Sequence, residues 1–259
     1  IKSTLLFIFP FLNDSFDLII SSSEEVTKRM ASAFRVDTNK IIVTGYPRMD
    51  KILSPKEDQL NFINIRQDWS KFAKIVLYAP THRKEGHGGA SLFDSMDFPK
   101  FNEFLSKNDA VMFIKSHYYH EINKNYIVNK LLSNIIYLTA GDVPDINNIL
   151  PFVDVLISDY SGVLLDYLIL DKPIIPTSFD LEEYTKNDRE LYEDYDKTVM
   201  GINCNNWSEV QIQLQDIFAG KDKSTSCRKE MSTRFFKYSD TNNSERIINT
   251  VTQNQNLPS

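Results

Sequence analysis

Residues 153–173, VDVLISDYSGVLLDYLILDKP, read as a strand, a tight turn, a helix and a closing Lys-Pro. Val153, Val155, Leu156 and Ile157 make a short β-branched apolar run, the pattern of a strand covered on both faces. Ser158-Asp159-Tyr160-Ser161-Gly162 breaks it with turn and capping residues. From Val163 to Leu170 apolar positions recur at helical spacing, with Asp166 among them. Such a turn leaves the first N–H groups of a helix unpaired at the carboxyl edge of a sheet, where those donors and the helix dipole attract a phosphate. Ser161 would add a hydroxyl, and Gly162 would let the main chain approach closely. An ordinary N-cap in a strand–helix unit is the other reading of the same residues.

Working outward, the same alternation recurs. Asp17 to Ile20 reads as a strand, followed by a helix from Glu24 to Phe34 capped by one of Ser21–Ser23. Ile41 to Thr44 is a strand that enters a loop, Gly45 to Asp50, with the residue before Pro47 held extended. A helix is expected over 56–70 and a buried strand over 74–79. The latter ends in Pro80-Thr81-His82-Arg83-Lys84 and a loop with three of the chain's eight glycines, Gly86, Gly88 and Gly89. Phe98 to Leu105 reads as a helix, Val111 to Lys115 as a strand, and a polar helix follows to about residue 132. Asn134 to Leu138 and Ile174-Ile175 are further strands, and Asp145 starts a short helix. Phe179 to Asp196 reads as helix and loop, Val199 to Cys204 as a last strand. Trp207–Phe218, Cys227–Phe236 and Ser244–Val251 read as closing helices.

Strands alternating with helices predict an α/β fold with a parallel sheet covered on both faces. Ligands of such sheets sit beyond the carboxyl ends of the strands. The polar clusters Thr81–Lys84, Lys115–His117 and Ser158–Gly162 all fall there, and their agreement is stronger than any one of them.

The chain has 259 residues, enough for one large or two modest domains. A formal net charge of -6 argues against a nucleic-acid partner, so anionic ligands must be held by local groups. Cys204 and Cys227 form neither a metal-ligand spacing nor a disulfide framework. Leu5 to Leu12 is apolar, too short to span a bilayer and interrupted by Pro10. Core or interfacial packing is expected of it. The absence of an initiating Met suggests a piece of a longer protein.

The chemistry-bearing residues follow. Arg83 is a phosphate clamp by type, since a guanidinium bonds two oxygens at once; a solvated loop arginine is the alternative. His117, beyond Lys115 at a strand end, could give a proton to a leaving phosphate or cap the next turn. Asp166 in an apolar helix needs a partner, either a ligand hydroxyl or an adjacent loop. Asp154 and Asp159 bracket their strand as structural groups. No P-loop, GxGxxG, GxSxG or zinc spacing is present, which sets aside P-loop kinases, classical dehydrogenases, esterases and zinc hydrolases.

Four blocks in order then resemble a known family. TGYPRMD (Thr44–Asp50), YAPTHR (Tyr78–Arg83), IKSH (Ile114–His117) and ISDYSGVLLDYLILDKPII (Ile157–Ile175) are similar in order and spacing to the CDP-glycerol glycerophosphotransferases, the teichoic acid and capsule polymerases. RELYEDYD (Arg189–Asp196) resembles a later block of that family. The resemblance implies a GT-B architecture of two Rossmann-like domains. On it, residues 1–55 are the end of the acceptor-side domain, 56–240 the nucleotide-donor domain, and 241–259 a closing helix and tail. It implies transfer of glycerol phosphate from CDP-glycerol to an acceptor hydroxyl with release of CMP. His117 would be catalytic, easing departure of CMP. Thr81, Arg83, Lys115, Ser161 and Gly162 would hold the diphosphate, and Asp166 and Arg189 would line or brace the nucleotide pocket. No cofactor or metal is implied, because Arg, His and helix dipole supply the countercharge.

The sequence departs from the family at Gly162, where a second serine is usual, and lacks the Gly-Pro expected after Asp196. The family's N-terminal His-Gly motif is absent; its trailing lysine would be Lys2. The implied partners are a nucleotide-activated polyol and a polymer or lipid-linked acceptor, with a membrane surface and a larger multidomain chain as further associations. The implied location is the cytoplasm, at the inner face of the cell membrane. Ribitol-phosphate or sugar-nucleotide transfer on the same fold is the rival activity. A non-catalytic nucleotide-binding domain is the rival from another class.

Overall fold

The computed structural model describes residues 16–55, 71–81, 83, 93, 96–115, 132–188 and 190–255. The expected helix over 56–70, the glycine-rich loop at 86–89 and most of the polar helix beyond His120 lie outside them. The chain divides into two compact units, one comprising residues up to Ser54 and those from Ser232 onward, the other Pro55–Met231.

In the first unit, β1 (Ile19–Ser21) pairs in parallel with β2 (Ile41–Val43). The helix Glu24–Phe34 between them starts where expected. Ser23 is extended, its hydroxyl accepts the Val26 N–H at 3.2 Å, and Glu24 and Glu25 face the positive helix end. The loop expected over Gly45–Asp50 is instead largely the start of a helix, Pro47–Leu53. Tyr46 is extended, as the residue before a proline should be, but Pro47 occupies the first helical position, where its missing N–H costs nothing.

This segment anchors the C-terminal helix Asn243–Gln255. One Asp50 oxygen accepts the Asn243 N–H at 3.0 Å and its amide Nδ2 at 2.6 Å. The other accepts the Ser244 N–H at 2.8 Å and its hydroxyl at 2.6 Å. Gly45 has φ +78, and a Cβ there would lie 1.7 Å from Asn243 Oδ1, so both backbone shape and space require glycine. Arg246 stacks over Tyr238 at 3.8 Å and donates to the Thr44 carbonyl at 2.9 Å. Residues from Asn243 onward, which the sequence sets apart as a closing helix and tail, thus cluster with the first unit.

Burial alone would raise the Asp50 carboxyl, but the Ser244 and Asn243 hydrogen bonds outweigh it and hold the carboxyl below the usual aspartate range. A folded-state value below the unfolded one means stability present above about pH 4 and lost as pH falls through the folded value. Asp50→Asn is expected to cost about 1–2 kcal/mol at neutral pH, the worth of a helix cap. The cost should shrink as acidification protonates the folded-state carboxyl. Amide exchange of the C-terminal helix, followed against pH in both proteins, reads this directly; an equal deficit at every pH would count against it.

In the second unit, β3 (Lys74–Tyr78), β4 (Ala110–Ile114), β5 (Ile135–Tyr137), β6 (Val155–Ser158) and β7 (Ile174–Pro176) form one parallel sheet. Their order is β5-β4-β3-β6-β7. Every residue of β4, β6 and β7 is buried, which is why these strands read as continuous apolar runs rather than alternating ones. On one face an aromatic cluster surrounds Trp207, with Tyr78 edge-on at 5.0 Å, Phe101 edge-on at 5.4 Å and Phe179 at 5.7 Å. Helices Phe98–Lys107 and Trp207–Phe218 supply this layer. The second begins with a capping box: Asn206 accepts the Glu209 N–H, and Glu209 accepts the Asn206 amide and the Asn205 N–H.

Val199–Cys204 does not form the expected strand. Cys204 makes a single bridge to Thr177, while the neighbouring asparagines spend their side chains on Ser178 and on the next helix cap. Lys172 of the Lys-Pro signature donates to the carbonyls of Pro151 and Val153 at 2.7 and 2.8 Å, closing the base of β6.

Candidate functional site

Because β4, β3, β6 and β7 are adjacent and parallel, the segments leaving their carboxyl ends meet at one edge. These segments carry Lys115, Thr81 and Arg83, Asp159 to Gly162, and Thr177 to Asp180. The first turn beyond each strand is tied to its neighbour. Ala79 N–H donates to the Ile157 carbonyl at 2.9 Å, Lys115 N–H to Tyr78 at 2.9 Å, and Thr177 N–H to Ser158 at 2.8 Å.

Asp159 is the hub. One carboxylate oxygen accepts the Thr81 N–H at 2.8 Å, the Thr81 hydroxyl at 2.5 Å and the Tyr160 N–H at 2.7 Å. The other accepts Arg83 Nη2 at 2.8 Å. Arg83 also donates Nε and Nη2 to the two oxygens of Asp180, at 2.7 and 2.9 Å, and Nη1 to the Thr81 carbonyl at 2.7 Å. Its guanidinium lies 4.7 Å from the Tyr184 ring centroid and 5.2 Å from that of Tyr160. Those two rings stack at 4.3 Å, and the Tyr160 hydroxyl donates to Asp180 at 3.2 Å. Tyr195 stands edge-on to Tyr160 at 5.3 Å and bonds the Thr177 carbonyl at 3.1 Å.

The electrostatics follow from burial. Desolvation works against the charge on Arg83, yet the hydrogen bonds and charges of Asp180 and Asp159 outweigh it, so its pKa rises. Burial, then the same two carboxylates, push the Tyr160 hydroxyl up, so it stays protonated and remains a donor to Asp180. Lys115, half-buried at the end of β4, is lowered by burial, and Asp142 offsets part of that.

The structure brings Thr81, Arg83, Ser161 and Gly162 to one edge, but not in the roles their residue types suggest. Arg83 was expected as an open clamp. It is 1% exposed, and all three of its nitrogens donate to protein acceptors. A side chain so committed cannot also embrace a phosphate. Thr81 likewise gives its hydroxyl to Asp159. The Ser161 hydroxyl accepts the Val163 N–H at 3.3 Å, a cap-like bond at the start of helix Val163–Leu168. Gly162 is exposed with φ -60, and a Cβ on it would meet nothing within 4 Å, so packing does not demand glycine there. The Ser161 and Gly162 N–H groups make no hydrogen bond among the described residues. Asp166 is half-buried in the first turn of that helix, its N–H bonded to the Gly162 carbonyl at 3.2 Å. Asp154 accepts the Ile75 N–H at 2.8 Å and is structural. His117 and Arg189 lie outside the described residues, as do His82, His87 and His120.

Sequence reasoning missed Asp180, Tyr160, Tyr184 and Tyr195. Asp180 precedes a helix, Leu181–Asn187, that opens with two glutamates, and so reads as an N-cap; its carboxylate makes no cap bond and goes to Arg83 instead.

Comparison with known proteins adds the family. A teichoic acid ribitol-phosphate polymerase, TarL, of Staphylococcus aureus (strain NCTC 8325 / PS 47) is 32% identical over 237 residues, 88% of this chain and 40% of that protein. A teichoic acid glycerol-phosphate transferase of the same strain is 27% identical over 241 residues, 91% of this chain and 60% of that protein. The chain thus spans about two-fifths to three-fifths of these curated relatives. The solved wall teichoic acid polymerase TagF matches with a TM-score of 0.75 at 23% identity, over 97% of this chain and 61% of that one. That likeness makes the fold GT-B-like α/β. The sequence model described as CDP-Glycerol:Poly(glycerophosphate) glycerophosphotransferase matches residues 10–253, nearly the whole length and every described strand, and the chain belongs to that family.

Proposed function

We propose that this chain is the donor-binding part of an enzyme that transfers glycerol phosphate, or a related polyol phosphate, from a CDP-activated donor to an acceptor hydroxyl in teichoic-acid-like or capsular polymer synthesis. The observation that carries the reading is the family match over residues 10–253. The site supports it with two main-chain donors, Ser161 and Gly162 N–H, that make no hydrogen bond among the described residues and lie at the same strand-end edge of the sheet as half-buried Lys115. Open amides and an ammonium group suit the negative charge of a diphosphate.

In the proposed reaction an acceptor hydroxyl oxygen attacks the phosphorus that carries the polyol. The bond from that phosphorus to the bridging oxygen breaks, CMP leaves, and the hydroxyl proton passes to a base. His117 donates to the departing CMP phosphate. Lys115, Ser161 and Gly162 hold the donor diphosphate, Thr81 braces their edge through Asp159, and Asp166 and Arg189 serve the nucleotide. Residues up to about 55 belong to the acceptor side. The acceptor is a growing polymer or a lipid-linked starter, which places the protein at the cytoplasmic face of the membrane. Among the described residues no helix is long and apolar enough to cross a membrane.

Ribitol phosphate is the second reading, because the ribitol-phosphate polymerase is the more similar of the two relatives described, at 32% against 27% identity. Incubating the full-length protein with radiolabelled CDP-glycerol, CDP-ribitol and UDP-sugars, with an acceptor mixture, separates the readings. Label transfer from a CDP-polyol with stoichiometric CMP is the expected result. Transfer from UDP-sugars alone, or nucleotide binding with no product, would overturn it.

A further inference from the structure

We propose that Arg83 is a positioning residue: by bridging Asp159 and Asp180 it sets the shape of the turn Asp159–Gly162, and so the direction of the Ser161 and Gly162 N–H groups. The proposal rests on the reading above, in which those groups take the donor diphosphate. Three observations carry it. First, Arg83 is itself out of reach, buried and with Nε, Nη1 and Nη2 all donating to Asp180, Thr81 and Asp159. Second, the network reaches the turn through its first two residues. Asp159 takes the Tyr160 N–H, and Tyr160 is held by ring contacts to Tyr184 and Tyr195 and by its hydroxyl on Asp180. The next two N–H groups make no hydrogen bond among the described residues. Third, the turn does not depend on having glycine at position 162. Gly162 has a φ open to any residue and empty space at its Cβ position, so glycine's special freedom is not what shapes the backbone here.

A group that positions a binding main chain affects turnover out of proportion to stability, because a displacement of about 1 Å can cost roughly a hundredfold. Arg83→Lys keeps the charge, but one ammonium cannot match a planar fork that spans two carboxylates. Tyr160→Phe keeps the ring stack and deletes only the bond to Asp180. The test uses full-length protein and three readouts: kcat and KM with the CDP-polyol the unaltered enzyme turns over, thermal midpoint, and amide exchange over residues 159–163.

In Arg83→Lys, kcat is expected to fall about ten- to a hundredfold with KM changed far less. Exchange in the turn should rise about tenfold. Tyr160→Phe should move both the same way by a smaller factor, and decides the matter if Arg83→Lys does not fold. Unchanged kcat in the folded fraction with unchanged turn exchange overturns the proposal. A rise in KM alone, with the turn unperturbed, also overturns it, since Arg83 would then be touching the donor. If the unaltered enzyme turns over no CDP-polyol, the functional reading fails separately, and turn exchange still decides whether Arg83 shapes the turn.

Discussion

Arg83→Met is expected to destabilise the second unit by about 3–5 kcal/mol, the cost of removing one partner from a buried ion pair. The volume is nearly kept, so the loss is electrostatic. Asp159 and Asp180, whose side chains are 2% and 4% exposed, would face each other with the cation gone. Contacts of the guanidinium with the Tyr160 and Tyr184 rings are lost as well, and these are worth about 0.5–2 kcal/mol when desolvated. Exposed pairs in the same unit set the contrast. Lys107–Glu103 and Lys197–Asp194 are well over half exposed, and breaking either should change stability by less than about 1 kcal/mol. Urea midpoints at constant slope measure both effects. Adding Asp180→Asn to Arg83→Met should recover part of the loss, because one stranded charge is then neutralised. A loss below about 1 kcal/mol in Arg83→Met, or a further loss in the double variant, would show that the pair is not the brace its geometry describes.

His117→Ala in the full-length enzyme is expected to lower turnover of the CDP-polyol donor by about 10²–10⁴-fold, the usual worth of a positioned acid or base. That corresponds to about 3–5 kcal/mol of barrier. The loss should fall on kcat, because the proton is needed as CMP departs and not when the donor binds. The thermal midpoint should change little beside that loss, because the expected role is in proton transfer and not in packing. The reason for choosing this histidine is its place in the chain. It follows Lys115 at the carboxyl end of β4, the strand beside β3, whose own end leads into the Asp159 network. Near-normal turnover would refute the assigned role without touching the fold or the family.

Much of this protein is determined by short-range pattern alone. The runs at 110–114, 155–158 and 174–176 read as strands because each is buried along its length, as is the end of 74–78, and burial on both faces leaves no polar alternation to read. Ser23 and Asn206 start helices because an N-cap is local chemistry, complete within three or four residues. From strands alternating with helices, a parallel sheet and a ligand edge at the strand ends follow without coordinates. Where local chemistry has two solutions, sequence stops short. Pro47 suits a loop and a first helical turn equally, and only the bonds from Asp50 to a helix 193 residues away favour the second.

The role of Arg83 belongs wholly to the tertiary structure. Its partners lie 76 and 97 residues further along the chain, at the ends of two other strands. Taken alone, a guanidinium in a loop beyond a strand is a fork with open donors, and a phosphate fits it. Whether those donors remain open depends on what the fold brings opposite them, and here it brings two buried carboxylates. A charge out of water must be neutralised by whatever is nearest, and nearness across a sheet is set by strand order, which spacing along the chain does not encode.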